Sequence, residues 1–251
     1  MQSDPTEDLR FPNPSNFRDL GVYAGADGRR MRRRRLFRSD HLGALEQPDV
    51  AALAALNIGR VLDLRGAAER ASAMCTLPGV AVHSLAIEPT IVQVLTELVA
   101  AGQAITPDDV VAHMRDTYRG FVLHNTHRFA ELFGHLLESD APLVFHCTAG
   151  KDRTGFAAAL VQRALGVSQD DVLHDYLLTN GRLKPPGAVR YGLTLEVAQV
   201  LWRVQPEFLQ ASFDAVGEEY GGLEGYLRDG LKLRAPELER LRALYLEPAG
   251  V

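Results

Sequence analysis

Cysteine is scarce in this chain: Cys75 and Cys147 are the only two among 251 residues. Two thiols cannot build a disulfide framework, so apolar burial must hold the fold together. A thiol-poor chain also suits a reducing compartment, where a thiolate survives. Long apolar runs are missing too. None approaches the roughly 20 residues of a spanning helix, so no transmembrane segment is expected. The first residues, Met1 to Asp8, are polar and acidic. They lack the basic and apolar regions of a secretory signal. The expectation is a cytoplasmic protein, with export by a non-classical route left open. An excess of positive charge is absent: the formal net charge is −5, which argues against general nucleic-acid binding. There is no internal repeat, low-complexity tract or convincing linker. His113, His124, His127 and His135 offer no metal-ligand pattern, since His124 and His127 stand three apart without a third ligand.

Apolar residues make up 46% of the chain, enough for a sizeable core. The length fits a single α/β domain over residues 1–251. The stretch that organises it is His146-Cys-Thr-Ala-Gly-Lys-Asp-Arg-Thr-Gly155. Pro142 to Phe145 before it reads as a buried strand, and Phe156 to Leu165 after it as a buried helix ending at Gly166. A loop running into a helix N-terminus aims several backbone N–H groups at one point, where an anion belongs. Cys147 sits at the mouth of that nest, which favours its thiolate. Arg153 follows six residues later. Its planar fork can hold two phosphate oxygens while sulfur attacks phosphorus. Thr154 can offer its hydroxyl to the sulfur. Gly150 and Gly155 let the backbone turn tightly and approach a ligand.

Cys147, five intervening residues, Arg153 and Thr154, with His146 before them, resemble the phosphate loop of the cysteine-dependent phosphatases. The Gly150-Lys-Asp-Arg-Thr-Gly155 version resembles that of bacterial tyrosine phosphatases with dual protein and phosphoinositide activity. Asn16-Phe-Arg-Asp-Leu-Gly21, Leu36-Phe-Arg-Ser-Asp40 and Asp63-Leu-Arg65 resemble further segments of that family, so the likeness runs in patches from Asn16 to about Leu246. It implies a tyrosine phosphatase-like fold: a central, mostly parallel sheet with helices on both faces. It also implies hydrolysis of phosphate monoesters through a phosphocysteine, without metal or cofactor. Phosphotyrosine proteins are the implied substrates, with phosphoserine, phosphothreonine and phosphoinositides beyond them. Phosphate, sulfate or vanadate would occupy the loop. Thr148, Ala149, Gly150, Lys151, Asp152, Arg153 and Thr154 would line it, and His146 would orient the cysteine. The alternatives are a silent phosphate-recognising module, or another cysteine-loop oxyanion enzyme such as an arsenate reductase.

Along the rest of the chain, residues 1–15 read as an extended lead-in. Arg18 and Asp19 either link their segment to the loop or pair with each other. Asp27-Gly28 is a hairpin turn signal. Arg29 to Arg38 carries seven arginines. They read either as a docking face for an anionic membrane or as a solvated, charge-protected strand edge. Arg38 and Asp40 are expected in internal ion pairs. Pro48 to Leu56 reads as a short helix and Arg60 to Arg65 as a strand. Active sites of parallel α/β sheets gather at strand C-termini. Asp63 and Arg65 therefore face the crevice of Cys147 or, alternatively, pair with neighbours and only shape it. Residues 91–139 read as a helical insertion, interrupted at Tyr118 to Phe121, and as a candidate lid. Beyond the loop, Ser168 caps a helix whose Asp175-Tyr-Leu-Leu178 run is read as packing. Lys184 to Gly187 is read as a loop.

A leaving phenolate needs a proton. Asp152 is an odd residue for a phosphate-binding loop, because its carboxylate repels the ligand unless it is protonated, paired or turned to the leaving group. It is one candidate acid/base; a salt bridge, for instance to Arg65, is the other reading. Asp63 is the rival acid and Asp116 the third. Lys151 either contacts extra phosphates on an inositol ring or points to solvent.

Overall fold

The computed structural model describes Phe11 and residues 15–43, 45–75, 77–183 and 193–248. Most of the lead-in and the Lys184–Gly187 segment lie outside these residues. The elements, in chain order, are β1 (Arg18–Asp19), β2 (Leu36–Ser39), α1 (Gln47–Ala54), β3 (Arg60–Asp63), α2 (Ala67–Ser72), β4 (Ala81–Ser84), α3 (Thr90–Ala100), α4 (Pro107–Glu138), β5 (Leu143–His146), α5 (Asp152–Ala164), α6 (Gln169–Arg182), α7 (Leu195–Trp202), α8 (Pro206–Tyr220), α9 (Leu223–Gly225, continued by a π turn to Gly230) and α10 (Ala235–Tyr245). The sheet order is β1-β2-β5-β3-β4. Only β1 pairs antiparallel, with β2; the other neighbours are parallel. The expected mostly parallel sheet is therefore present, and β5 stands at its centre.

The two-residue period of a strand sends alternate side chains to opposite faces. Leu143 and Phe145 of β5, Leu62 of β3 and Leu36 of β2 enter one core, with α4, α5, α6, α8 and α10. Val144, Val61 and Phe37 enter a second, smaller core with Leu53 of α1, Leu56 and Phe17. Helices thus cover both faces. Strands buried on both sides read as continuous apolar runs, and Leu143-Val-Phe145 does. The turn at Asp27-Gly28 forms as expected. Both residues have positive φ (58° and 71°), and Ala24 bridges Arg30 across it.

Residues 91–139 depart from expectation. The break at Tyr118 to Phe121 does not occur; α4 is one helix of 32 residues. Thr106 caps it, its hydroxyl accepting from the Asp109 N–H at 3.2 Å, with Pro107 at the first helical position. A glycine inside a helix costs only about 1 kcal/mol. Burying Tyr118, Phe121 and Val122 on either side of Gly120 offsets that several times over. The buried face of α4, from Val110 to Leu136, lies in the larger core.

Candidate active site

Parallel strands share one C-terminal edge, and β5 ends there at His146. Cys147 follows, buried at 2% exposure, and α5 begins at Asp152. The loop between them is held from outside by its carbonyls. The His41 N–H donates to the Thr148 carbonyl at 3.1 Å. The Asn16 side-chain amide donates to the Ala149 and Gly150 carbonyls, both at 3.0 Å. Arg38 donates to the Gly150 carbonyl at 2.9 Å. A planar trans peptide points its N–H opposite to its C=O. Three pinned carbonyls therefore turn the N–H groups of Ala149, Gly150 and Lys151 to the loop's other side. Gly150 has φ +61°, and a Cβ there would lie 2.4 Å from the Ser39 carbonyl, so only glycine fits.

The outer clamp is itself anchored. Asp175 of α6 accepts from Arg18 Nε at 2.8 Å and from Arg38 at 2.6 Å, all three buried. Burial opposes Asp175's charge, but the two guanidiniums hold its carboxyl down to about 2. Burial, together with the neighbouring Arg18, brings Arg38 down to about 10. Arg18 goes to Asp175 and to Asn16, while Asp19 accepts from the N–H groups of Gly21 and Arg34, both at 2.8 Å. The residue that links the Asn16–Gly21 segment directly to the loop is thus Asn16. Arg38 has the expected internal ion pair. Asp40 accepts from the backbone N–H groups of Ser15 and Asn16. Asp175-Tyr-Leu-Leu178 is more than packing, since its first residue centres this network.

Arg153 lies in the first turn of α5, 7% exposed. One terminal nitrogen donates to Glu69 Oε2 at 2.6 Å and to the Ile87 carbonyl at 2.8 Å; the other donates to Glu69 Oε1 at 2.8 Å. Thr148 also donates its hydroxyl to Glu69 Oε1. Glu69 is fixed in turn by its own helix, accepting from the Gly66 N–H at 2.9 Å at the start of α2. Burial would push the Glu69 carboxyl up, but Arg153 overrides it and holds it at about 2. Sequence reasoning missed Glu69. Its signal was its place four residues after Arg65, behind a strand end that already carried charge.

Arg65 and Asp63 turn to each other. Arg65 Nε and one terminal nitrogen meet both Asp63 oxygens at 2.7–3.2 Å, and the other terminal nitrogen donates to the Ala73 carbonyl at 2.8 Å. Burial opposes the Asp63 charge, yet the Arg65 hydrogen bonds keep its carboxyl below the usual range. Arg65 is therefore not the partner of Asp152. That carboxylate accepts from the Tyr118 hydroxyl at 2.9 Å and lies 3.4 Å from Lys151 Nζ. Lys151 is 5% exposed and donates to the Leu201 carbonyl, so it neither points to solvent nor outward to a ligand. Asp116 is exposed on α4. His146 is fully buried with Nδ1 3.2 Å from the Cys147 carbonyl; burial brings it down to about 4, so it is neutral. The Thr154 hydroxyl is buried with no hydrogen-bond partner among the described residues.

In the Arg29–Arg38 run, Arg32 and Arg35 reach Asp140, and Arg38 is internal. Arg33 lies 3.8 Å from Asp19, and Arg30 and Arg34 are exposed. No helix among the described residues is long and apolar enough to cross a membrane.

Comparison with known proteins agrees with this geometry. Residues 9–247 match the model of the tyrosine phosphatase family. The chain is 36% identical over 248 residues to a Cupriavidus necator protein whose name assigns it, provisionally, to the tyrosine-protein phosphatases, covering 95% of this chain and 88% of that one. It is 31% identical over 276 residues to the triple specificity protein phosphatase PtpB of Mycobacterium tuberculosis, covering 94% and 98%. Among solved structures, the Siw14 catalytic core is a distant likeness: 14% identity, a TM-score of 0.41, and coverage of 80% of this chain and 92% of that one. A cysteine loop with its carbonyls pinned outward, on the C-terminal edge of a parallel sheet, and a family match over nearly the whole length lead to one assignment: this chain belongs to the tyrosine phosphatase family.

Proposed function

We propose that this chain hydrolyses phosphate monoesters, foremost phosphotyrosine in proteins, through a phosphocysteine on Cys147. The observation that carries the reading is the loop itself: three carbonyls held outward, N–H groups turned inward, cysteine at one end and arginine at the other. Such a loop supplies fixed positive potential where equatorial phosphoryl oxygens gather charge. Cys147 attacks phosphorus, and the alcohol or phenol leaves. Water then attacks the phosphocysteine and restores the thiolate. Arg153 has its terminal edge on Glu69, which leaves its Nε side for the phosphoryl group. Thr148 to Thr154 line the cup, and His146 supports the Cys147 carbonyl. The reaction uses no metal, since loop and arginine supply the charge.

Asp152 is the acid/base. It lies where the loop enters α5 with its side chain partly exposed at 23%, whereas the Asp63 side chain is buried at 2% with both oxygens on Arg65. In this reading Asp63 and Arg65 brace the strand end and do not touch substrate. Of the 91–139 insertion, α4 has its apolar face in the core, as do Ile91 and Leu95 of α3, so a lid role would fall to their outward faces. The whole chain works as one cysteine-phosphatase domain in a reducing, cytoplasmic setting.

Breadth beyond phosphotyrosine is supported by the triple specificity in the name of PtpB. Lys151 is turned away, so cations for phosphoinositide ring phosphates or an anionic membrane would come from the Arg29–Arg38 run, where Arg30 and Arg34 are exposed.

The test is turnover of para-nitrophenyl phosphate and a phosphotyrosine peptide in chelator, for wild type and Cys147→Ser. Wild type is expected to turn over both and Cys147→Ser neither, with vanadate competing. Vanadate binding without wild-type turnover would point to the silent module. Arsenate reduction in place of ester hydrolysis would point to the reductase.

A further inference from the structure

Behind Asp152 stand two phenols in series, Tyr118 bonded to it and Tyr176 bonded to Tyr118. Tyr118 of α4 donates its hydroxyl to Asp152 Oδ1 at 2.9 Å. The Tyr176 hydroxyl of α6 lies 2.6 Å from that of Tyr118. A phenol has one proton, and that of Tyr118 is committed to the carboxylate. The bond between the phenols therefore runs from Tyr176 to Tyr118. Both rings are buried, at 0% and 1% exposure. Burial first, and the adjoining Asp152 charge second, hold both phenols well above their ordinary range, so they stay O–H donors. The Tyr176 ring also backs the loop's helix, 3.0 Å from where a Cβ of Gly155 would stand. Phenylalanine would fill either ring position. A buried hydroxyl costs free energy unless it is bonded, and this pair points at Asp152.

We infer that Tyr118 and Tyr176 are positioning residues for Asp152, fixing its side chain and stabilising the carboxylate it becomes on giving up its proton. This rests on the reading in which Asp152 is the acid/base. In the first step sulfur bonds to phosphorus, the ester P–O bond breaks, and the Asp152 proton passes to the leaving oxygen. In the second step water oxygen bonds to phosphorus, the S–P bond breaks, and a water proton returns to Asp152. Hydrogen bonds to a carboxylate are stronger than those to a neutral acid, so the Tyr118 bond strengthens as the proton leaves. A bond stronger in the transition state than in the ground state raises the rate. The gain depends on how much proton transfer the leaving group needs. Phenolate needs it; para-nitrophenolate hardly does.

The experiment measures kcat/KM on phenyl phosphate and on para-nitrophenyl phosphate. The proteins are wild type, Tyr118→Phe, Tyr176→Phe, Asp152→Asn and the Tyr118→Phe/Asp152→Asn double variant. Tyr118→Phe is expected to lose about 10- to 100-fold on phenyl phosphate, the range of a hydrogen bond to a charged group, and less than about 3-fold on the nitrophenyl ester. Tyr176→Phe, acting through Tyr118, should lose less with the same contrast; it also serves if Tyr118→Phe proves unstable. In the Asp152→Asn background, Tyr118→Phe should cost nothing further. Equal losses on both esters, or an undiminished loss in the Asp152→Asn background, would overturn the inference alone. Absence of wild-type turnover on either ester would overturn the phosphatase reading and the inference with it.

Discussion

A guanidinium that must meet a phosphoryl group in one orientation has to be held by something other than the phosphate. Here Glu69 does that for Arg153, aided by the Ile87 carbonyl, and Glu69 is fixed by the Gly66 N–H. Orientation fixed in advance lowers the barrier of the step that follows. Glu69→Gln keeps the shape but replaces a pair of charge-assisted hydrogen bonds with weaker ones. Its kcat/KM on a phosphotyrosine peptide is expected to fall about 10- to 100-fold, the range for hydrogen bonds to charged groups. A rise in activity, with tighter inhibition by inorganic phosphate, would instead make Glu69 a plug that competes with substrate for Arg153. The same scale explains the rivalry between the two aspartates. Asp63 stands two residues from Arg65 on the same side of an extended chain, and the pair closes on itself. Asp152 has no arginine at such spacing within its own loop turn and is met by Tyr118 instead.

At the scale of elements, the loop is shaped by segments distant in sequence. Asn16, Arg38 and His41 all reach loop carbonyls more than 100 residues away. The long helix α4 is the rigid counterpart, supplying Tyr118 to the site and its apolar face to the core. It carries two glycines with no strained φ and open space beside them. A Cβ at Gly120 would meet nothing nearer than 3.8 Å, and one at Gly134 nothing within 4 Å. Alanine at each should therefore stabilise, by about 0.5–1 kcal/mol per site, through helix propensity and a less flexible unfolded chain. Urea denaturation of Gly120→Ala and Gly134→Ala would measure this. A loss of stability at Gly120 would mean that the helix relies on a kink there.

The whole molecule should be sensitive to acid in two windows. His146 is fully buried and held neutral, down to about 4 from the ordinary 6.5. Its unfolded form takes up a proton below pH 6.5 that the folded form refuses until about pH 4, so stability falls as pH drops through that interval. Between pH 7 and pH 5 the loss from this residue is about 2 kcal/mol. His146→Gln should flatten the dependence of the urea midpoint on pH over that range, whatever its effect at pH 7. An unchanged slope would show that His146 titrates normally. The second window lies lower. Asp175 and Glu69 contribute stability above their ordinary values of 3.8 and 4.5, and lose it as pH falls through about 2.

The sequence by itself determined the local features. The strand Leu143–His146, the cysteine loop and the buried helix α5 were legible because a strand-loop-helix passage with glycine at its turn is written in consecutive residues. The caps at Thr106 and Ser168 and the turn at Asp27-Gly28 were legible for the same reason. The two-sided burial of β5, and hence cover on both sheet faces, followed from a run too apolar to leave either face exposed. Tertiary structure alone decided which side chains serve the loop. Whether Tyr118 to Phe121 breaks a helix depends on a neighbouring core that repays the glycine, and no local pattern contains that core. Glu69 on Arg153, Asn16 on the loop carbonyls, Tyr118 on Asp152 and Tyr176 on Tyr118 are contacts across 34 to 134 residues. Their partners are selected by where the sheet and its helices bring charge out of water, where a buried polar group must find a bond.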